Sequence, residues 1–186
     1  METVADEIVK LAAYMKELGV EVNVESFESR IKLQKFAYIL GILLDKEMYK
    51  FEFYIRGPYS RPLAKEYYEN KSLFNKDAVH KLSQNEKEVL DRIRPIAVNL
   101  SIIELEIIAS LLYLEKKKGY NEDTAINELI NIKRYLKMED VVRALNKLKQ
   151  MMLTKKEEMR LLAVLSNETK PFEDASVCDL ARSKNS

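Results

Sequence analysis

Apolar residues recur along this chain at intervals of three and four positions, the spacing that puts them on one face of an α-helix. In the first such segment Ile8, Leu11 and Met15 share a face, and Gly19 follows as a natural stop. The pattern predicts eight helical segments. They span about residues 3 to 18, 29 to 45, 84 to 99, 102 to 117, 139 to 152 and 155 to 165, with a short helix from Ser60 and another from Asn121 to Lys137.

Residues 48 to 56 follow a different pattern, because apolar and polar side chains alternate there with a period of two. The apolar side holds Tyr49, Phe51, Phe53 and Ile55, and the other side holds Lys50, Glu52, Tyr54 and Arg56. This alternation predicts a half-buried antiparallel strand. We expect its partner at residues 78 to 82, with the helix that starts at Ser60 inserted between the two.

Three helix starts carry a capping box, in which a Ser or Thr precedes a Glu by three residues: Ser83 with Glu86, Ser101 with Glu104, and Thr154 with Glu157. Pro95 is expected to kink its helix, and the residues between 20 and 28 could include a short strand. Together these signals predict a mainly α fold of seven or eight helices with a small antiparallel β element near residues 49 to 82.

The pattern weakens beyond residue 165. We therefore predict a single helical domain over residues 1 to 165, followed by a polar, loose tail over residues 166 to 186. A chain of 186 residues can bury enough surface to fold without a disulfide or a metal.

Composition and charge narrow the function classes. There are 31 Lys and Arg against 30 Asp and Glu, a net charge of +1, which predicts weak, non-specific nucleic-acid binding. No apolar run reaches the length of a membrane span, and the N-terminus lacks a secretory pattern. One cysteine, Cys178, suits the reducing cytoplasm. The high charged fraction and only four glycines favour a thermophilic source.

The segment Arg56-Gly57-Pro58-Tyr59-Ser60-Arg61 is the first candidate site, and it permits two interpretations. As an anion or partner site, it combines the open N–H groups of a helix start with two guanidinium groups, and Gly57 would admit a ligand or partner backbone. As a tight turn, it uses glycine for a permissive angle, proline for stiffness and serine as a cap. The same residues serve both.

Gln34, Lys35 and Tyr38 are the second candidate. They lie on the helix over residues 29 to 45, which is apolar around more than half of its girth, so they need buried partners. We expect Gln34 to bond the backbone of residues 57 to 60 and Tyr38 to stack near Tyr59. This interpretation makes the three residues a polar pin for the turn.

The other polar residues form no recognisable catalytic or metal-binding motif. His80 is the single histidine and Cys178 is remote in sequence, so neither a zinc site nor a Cys–His pair is expected. There is no Gly-rich phosphate loop. Lys116, Lys117 and Lys118 close a helix, where the helix dipole accounts for them. The sequence therefore predicts no enzyme, no metal and no cofactor.

Five tyrosines lie close together in the sequence and are interleaved with basic residues. They are Tyr49, Tyr54, Tyr59, Tyr67 and Tyr68. Tyrosines between arginines and lysines could anchor a protein partner or stack on bases. The alternative is that about half of them belong to the core.

Three short motifs give the chain a resemblance. R-x-K-L-Q-K-x-x-Y at Arg30 to Tyr38, F-x-F-Y-x-x-G-P-Y-S ending at Ser60, and L-S-x-x-E-K at Leu82 to Lys87 resemble the uncharacterised YwgA-like family and, more distantly, the SocA-like (Panacea) domains of some antitoxins. The resemblance covers about residues 28 to 150 and departs at Arg56, where an aromatic residue is expected. It implies a mostly helical cytoplasmic domain without an established reaction, and a protein-binding role by analogy.

These observations favour a non-enzymatic interaction or regulatory domain, of an antitoxin or adaptor type, with a protein partner. The alternative is a winged-helix-like transcriptional regulator, in which a helix and hairpin near residues 29 to 82 meet nucleic acid and Arg56 and Arg61 contact phosphates. No membrane association is expected. Homo-oligomerisation stays open.

Overall fold

A computed structural model of the protein describes residues 4 to 74, 80 to 153, 157 and 159 to 161. In chain order the elements are α1 (Val4–Glu17), α2 (Phe27–Leu43), β1 (Glu52–Tyr54), β2 (Gly57–Tyr59), α3 (Arg61–Glu69), a 3-10 turn (Lys71–Leu73), α4 (Gln84–Ala97), α5 (Ile102–Lys118), α6 (Glu122–Ile132) and α7 (Met138–Met152). The prediction of a mainly helical fold with one small antiparallel sheet is confirmed.

Local capping chemistry sets the helix starts as the sequence predicted. The capping boxes of α4 and α5 are both formed, each with the serine hydroxyl and the glutamate side chain satisfying a backbone N–H. Ser60 caps α3 and Asn121 caps α6. At the other end of α5, Gly119 has a φ of 71°, the left-handed value that glycine adopts without strain.

The sheet differs from the prediction. Its strands are three residues each, and β1 pairs with β2 in a tight hairpin, with Glu52 opposite Tyr59 and Tyr54 opposite Gly57. The expected partner at residues 78 to 82 is wrong for this strand; residues 78 and 79 lie outside the described part, and 80 to 82 form no strand. The cause is local, because Gly57 takes a φ of 83° and reverses the chain directly after Arg56.

Helix α5 lies at the centre of the core. Leu105, Ile107, Ile108 and Leu111 are fully buried, and the helix packs against α2, α6, α7 and β2. Since α2 is itself buried around most of its girth, the α2–α5 pair forms a central layer that the hairpin covers on one side. The hairpin is therefore held against rigid helices.

Three smaller expectations have different outcomes. The segment between α1 and α2 contains no strand, and Pro95 falls in the last turn of α4, which ends at Ala97. Helix α6 ends at Ile132, five residues earlier than predicted, because Lys133 turns into the core.

The chain divides into two units, Met1–Met152 and Leu153–Ser186. In the second unit, residues 157 and 159 to 161 are helical, within the helix predicted over 155 to 165. Thr154, the boundary at residue 165 and the tail over 166 to 186 lie outside the described residues. Within the described residues, the helices are too short or too polar to cross a membrane.

Candidate functional site

Gln34 contacts the backbone at the start of α3. Its side-chain amide donates to the carbonyl oxygen of Ser60 at 2.9 Å, and its side-chain oxygen accepts from the Ser60 N–H at 2.8 Å. The contact expected between Gln34 and residues 57 to 60 is present. Both side chains are buried, so the two hydrogen bonds replace the water that these groups lose on folding.

Lys35 contacts the hairpin at Pro58, two residues before Ser60. Its ammonium group donates to the carbonyl oxygen of Pro58 at 2.7 Å, and only 2% of the residue is exposed. Burial lowers the pKa of Lys35 to about 7; the carboxylate of Glu106 opposes this shift, and the cations Lys133 and Arg56 add to it. The amine thus sits near the midpoint of its titration at neutral pH.

Tyr38 does not join this pair. Its ring meets Phe51 edge-on with centroids 5.0 Å apart and lies 5.9 Å from Tyr113, so the expected stacking near Tyr59 is wrong. Its hydroxyl is buried without a hydrogen-bond partner among the described residues, and burial raises its pKa. Tyr38 lies one helical turn beyond Gln34, and its ring reaches Phe51, directly before the start of β1.

Gly57 is required by packing rather than by an approaching ligand. A Cβ at this position would stand 2.3 Å from the Ser110 hydroxyl oxygen on α5, and its φ of 83° is strained for any other residue. Gly57 and Pro58 are both buried. The prediction that Gly57 admits a ligand or partner backbone is therefore replaced by close contact between β2 and α5.

The first turn of α3 has few free N–H groups. The Ser60 N–H bonds Gln34, the Leu63 N–H bonds the Ser60 hydroxyl at 3.3 Å, and the Ala64 N–H bonds the Ser60 carbonyl at 3.1 Å. Pro62 has no N–H. The anion site expected from open backbone groups is therefore largely occupied by the protein itself, and positive charge at this surface comes from side chains.

A groove of about 720 Å³ lies where α2, the hairpin and α3 meet. Eight of its thirteen lining residues are arginine or aromatic, and none is acidic. The eight are Phe27, Arg30, Tyr54, Arg56, Tyr59, Arg61, Tyr67 and Tyr68. Gln34 and Lys35 also line it, and both are almost fully buried. We call this feature the arginine–tyrosine groove.

The three arginines of the groove are held by aromatic rings. The guanidinium groups of Arg30 and Arg56 lie 5.7 and 5.6 Å from the centre of the Phe27 ring, which is 58% exposed. Arg61 lies 6.0 Å from the Tyr54 ring and donates to its hydroxyl at 2.9 Å. Such cation–π contacts orient the guanidinium groups without neutralising their charge.

A buried polar network lies behind Arg56 and was not predicted from the sequence. Glu106 on α5 accepts hydrogen bonds from the ammonium of Lys133 and the hydroxyl of Tyr135, and Arg56 lies 3.5 Å from its other oxygen. Lys133 also donates to the carbonyl oxygen of Ile55 at 2.7 Å. Burial lowers the pKa of Lys133, although Glu106 opposes that shift. The network ties α5, the hairpin and the α6–α7 connection together.

A second buried carboxylate belongs to Glu86, in the capping box of α4. Burial alone would raise its pKa, but hydrogen bonds from Tyr14, Ser83 and Lys46 outweigh burial and hold the pKa at about 2. His80 lies beside it, 3.7 Å from the carboxylate. Among the described residues, no three His, Cys, Asp or Glu side chains converge as metal ligands.

Of the five clustered tyrosines, some belong to the core and others are exposed. Tyr49 and Tyr67 are buried, Tyr59 is half-buried, and Tyr54 and Tyr68 are nearly half exposed. All but Tyr49 line the arginine–tyrosine groove. The basic run at the end of α5 lies elsewhere, and Lys117 pairs with Glu47 at 3.0 Å.

Comparison of this chain with protein-family models, curated proteins and solved structures found no match. The resemblance carried by the three motifs therefore stays an expectation.

Proposed function

We propose that this chain is a non-enzymatic protein-interaction domain, and that its arginine–tyrosine groove binds an acidic, aromatic-containing segment of a partner protein. The observation that carries the proposal is the lining of the groove, which is arginine and aromatic at eight positions and acidic at none. Tyrosine and arginine are enriched among the residues that dominate binding energies at protein interfaces.

The groove also carries exposed apolar surface. Phe27, Tyr54, Ile55 and Tyr68 each expose between 46 and 84% of their surface and line the same groove. Apolar side chains exposed side by side in a concave surface favour burial by a partner. A protein segment with apolar or aromatic side chains would cover them.

The groove is preorganised. Gln34 and Lys35 hold the backbone of residues 58 and 60, and the network of Glu106 holds Ile55 and Arg56 from behind. Because these contacts are already formed in the free protein, binding orders few further groups, and less of the interaction energy is lost as conformational entropy.

The charge of the groove selects an acidic partner. Guanidinium groups bind carboxylates through two parallel hydrogen bonds, and three of them line the groove. A cationic segment would be repelled by the same three arginines. The resemblance to antitoxin-associated domains supports an adaptor or regulatory role, and the single cysteine supports a cytoplasmic setting.

Nucleic acid is the less favoured partner. Base stacking on tyrosines and arginines is a known mode of single-strand binding. However, affinity for a polyanion needs many cations along its path, whereas Glu25, Glu28 and Glu52 lie on the segments that carry the groove. The hairpin strands of three residues are also too short for the extended wing of a winged helix.

Selection from a displayed library of short random peptides tests the proposal. Peptides retained by the full chain should be enriched in Asp or Glu together with Tyr, Phe, Trp or Leu. The best peptide, labelled with a fluorophore, should bind R56A/R61A at least about tenfold more weakly than the unmodified protein. The control R94A/R143A removes one half-buried and one exposed arginine, neither of which lines the groove, and should bind normally.

Three results would overturn the proposal. Retained peptides could lack acidic residues, or R56A/R61A could bind the best peptide normally. In the third result, a single-stranded oligonucleotide binds the unmodified protein more tightly than any retained peptide and binds R56A/R61A weakly. That result would support the nucleic-acid alternative.

A further inference from the structure

We infer that the deepest part of the arginine–tyrosine groove is a site for one carboxylate group, which the Lys35 ammonium and the Arg56 guanidinium hold together; the inference rests on the proposed function of the groove. Both residues line the groove, and Lys35 is among its most buried members.

The hydrogen bonds of Lys35 are incomplete. An ammonium group has three N–H donors, and the carbonyl oxygen of Pro58 is its one hydrogen-bond acceptor among the described residues. At 2% exposure, little water reaches the other two donors. An oxygen atom that enters the groove beside Lys35 would therefore gain a strong hydrogen bond that the free protein leaves unmade.

Charge around Lys35 favours an anion over a neutral acceptor. The facing groups are Glu106 on α5, Lys133 after α6 and Arg56 in the hairpin, so three cations including Lys35 surround one carboxylate. Glu106 is already engaged by Lys133 and by the hydroxyl of Tyr135 at one oxygen, and by Arg56 at 3.5 Å from the other. One further carboxylate would bring the cluster close to neutrality.

The remaining groups near Lys35 do not reverse this balance. Arg30 lies on the same helix and adds positive charge, while Tyr59 on β2 and Tyr67 on α3 contribute hydroxyl groups rather than carboxylates. Burial raises the pKa of Tyr67 to about 12, which keeps it a neutral hydroxyl. Glu106 is thus the carboxylate that faces Lys35, and it stays paired.

Binding at this site should take up a proton. In the free protein the pKa of Lys35 is about 7, so the amine is mostly neutral at pH 8. A bound carboxylate favours the ammonium form and raises that pKa. The affinity is then fully present below pH 7 and falls as pH rises above it, by about tenfold between pH 6 and pH 8, because the competent fraction of Lys35 falls by that factor.

Small probes test the site without a known partner. We would titrate the full-length protein, labelled with ¹³C and ¹⁵N in its lysines, with 4-hydroxyphenylacetate, which carries one phenol ring and one carboxylate that stays ionised over this pH range. Its amide is the matched control, since it differs in the charged group alone. NMR follows the Lys35 side chain while pH is varied, with and without each probe.

The carboxylate probe should raise the pKa of Lys35 and bind about tenfold more weakly at pH 8 than at pH 6. The amide should do neither. K35M should weaken and flatten the pH profile of the carboxylate, while K149M, which removes an exposed lysine outside the groove, should keep it. The titration of the unmodified protein decides the question if K35M fails to fold.

Equal binding of the two probes, or a Lys35 side chain that does not respond to the carboxylate, would overturn the inference. These outcomes differ from failure of the proposed function. Peptides that need Arg56 and Arg61 but leave Lys35 unchanged would keep the groove as a peptide site and exclude the carboxylate site. A Lys35 side chain that responds to the carboxylate probe, in a protein that retains no peptide, would keep the carboxylate site and exclude the peptide site.

Discussion

At the scale of single residues, the side chains of Gln34 and Lys35 fix the backbone of the hairpin. Gln34 pairs with both backbone groups of Ser60, and Lys35 bonds Pro58, so consecutive residues of α2 fix the strand that leads into α3. The Gln34 contact could be predicted from the sequence, because a polar residue on an apolar helix needs a partner.

Replacing Gln34 with leucine should destabilise the protein. Q34L leaves the Ser60 N–H and carbonyl unpaired in a buried site, which costs about 1 to 3 kcal/mol in the free energy of unfolding. Urea denaturation measures the change. Q150L, on the exposed face of α7, is the control and should stay within about 0.5 kcal/mol of the unmodified protein. Equal stability of Q34L and Q150L would show that Gln34 does not hold the hairpin.

Gly57 allows a sharper comparison with Gly119. Both have positive φ, but a Cβ at Gly57 would meet the Ser110 hydroxyl at 2.3 Å, whereas at Gly119 it would meet nothing within 4 Å. G119A should cost about 1 to 2 kcal/mol from backbone strain. G57A adds the clash with α5, about 1 to 3 kcal/mol more.

Urea denaturation of both alanine variants, of S110G and of G57A/S110G checks this. The double variant removes the hydroxyl that blocks the new methyl group, so it should lose less stability than the two single changes together. If G57A and G119A lose the same stability, the contact between β2 and α5 is looser than described.

At the scale of elements, capping and periodicity predicted the helices, but not the pairing of the strand. The starts of α3, α4, α5 and α6 follow from local hydrogen bonds that the sequence displays directly. The alternation over residues 48 to 56 misled because Ile55, 84% exposed, lies in the hairpin turn rather than on a buried face. Gly57 predicts a tight turn, and that turn reverses the chain into β2 instead of leading to a partner strand at residues 78 to 82.

The network of Glu106 escaped prediction for a related reason. Glu106 lies two residues after the capping Glu104 in the apolar run of α5, and a carboxylate inside such a run signals a buried partner. That partner, Lys133, lies 27 residues away, directly after the end of α6. Periodicity describes neighbours on one helix, so it could not connect α5 with a residue beyond the end of another helix.

Helix α4 provides a prediction on pH. Glu86 has a folded-state pKa of about 2, below its ordinary value of 4.5, so the carboxylate stabilises the fold above pH 4.5 and that contribution is lost as pH falls towards 2. A shift of this size corresponds to about 3 kcal/mol. E86Q should be less stable than the unmodified protein at pH 6.

The gap between the two proteins should narrow as pH falls from 5 to 2, because protonation of Glu86 removes the same charged hydrogen bonds. Denaturation at several pH values measures the gap. E88Q changes an exposed carboxylate of the same helix and serves as the control. A gap that is constant with pH would mean that Glu86 acts through packing rather than through its charge.

At the scale of the whole molecule, a nearly neutral chain carries a locally cationic groove. The net charge of +1 correctly describes the total and conceals the distribution, because Arg30, Arg56 and Arg61 converge from α2, the hairpin turn and α3. The sequence indicated Arg56 and Arg61 as a pair, since they flank one turn. It did not indicate Arg30 or Phe27, which reach the groove only through the packing of α2 against the hairpin.

Two double variants distinguish binding through the arginines of the groove from an effect of the net charge of the protein. R56A/R61A and R94A/R143A each remove two positive charges and change the net charge from +1 to −1. Arg61 and Arg143 make surface contacts, Arg94 is half-buried between Glu17 and Asp91, and Arg56 lies 3.5 Å from the buried carboxylate of Glu106. Each double variant removes a few such contacts and should lose about 1 to 2 kcal/mol of stability. Glu106 keeps Lys133 and Tyr135 when Arg56 is removed, which limits the loss of stability in the first variant.

Urea denaturation of the two double variants should therefore give similar curves, while the binding of an acidic peptide weakens in R56A/R61A alone. If R56A/R61A loses several kcal/mol more than R94A/R143A, the two arginines hold the hairpin in place, and a loss of binding would then report on folding rather than on the groove.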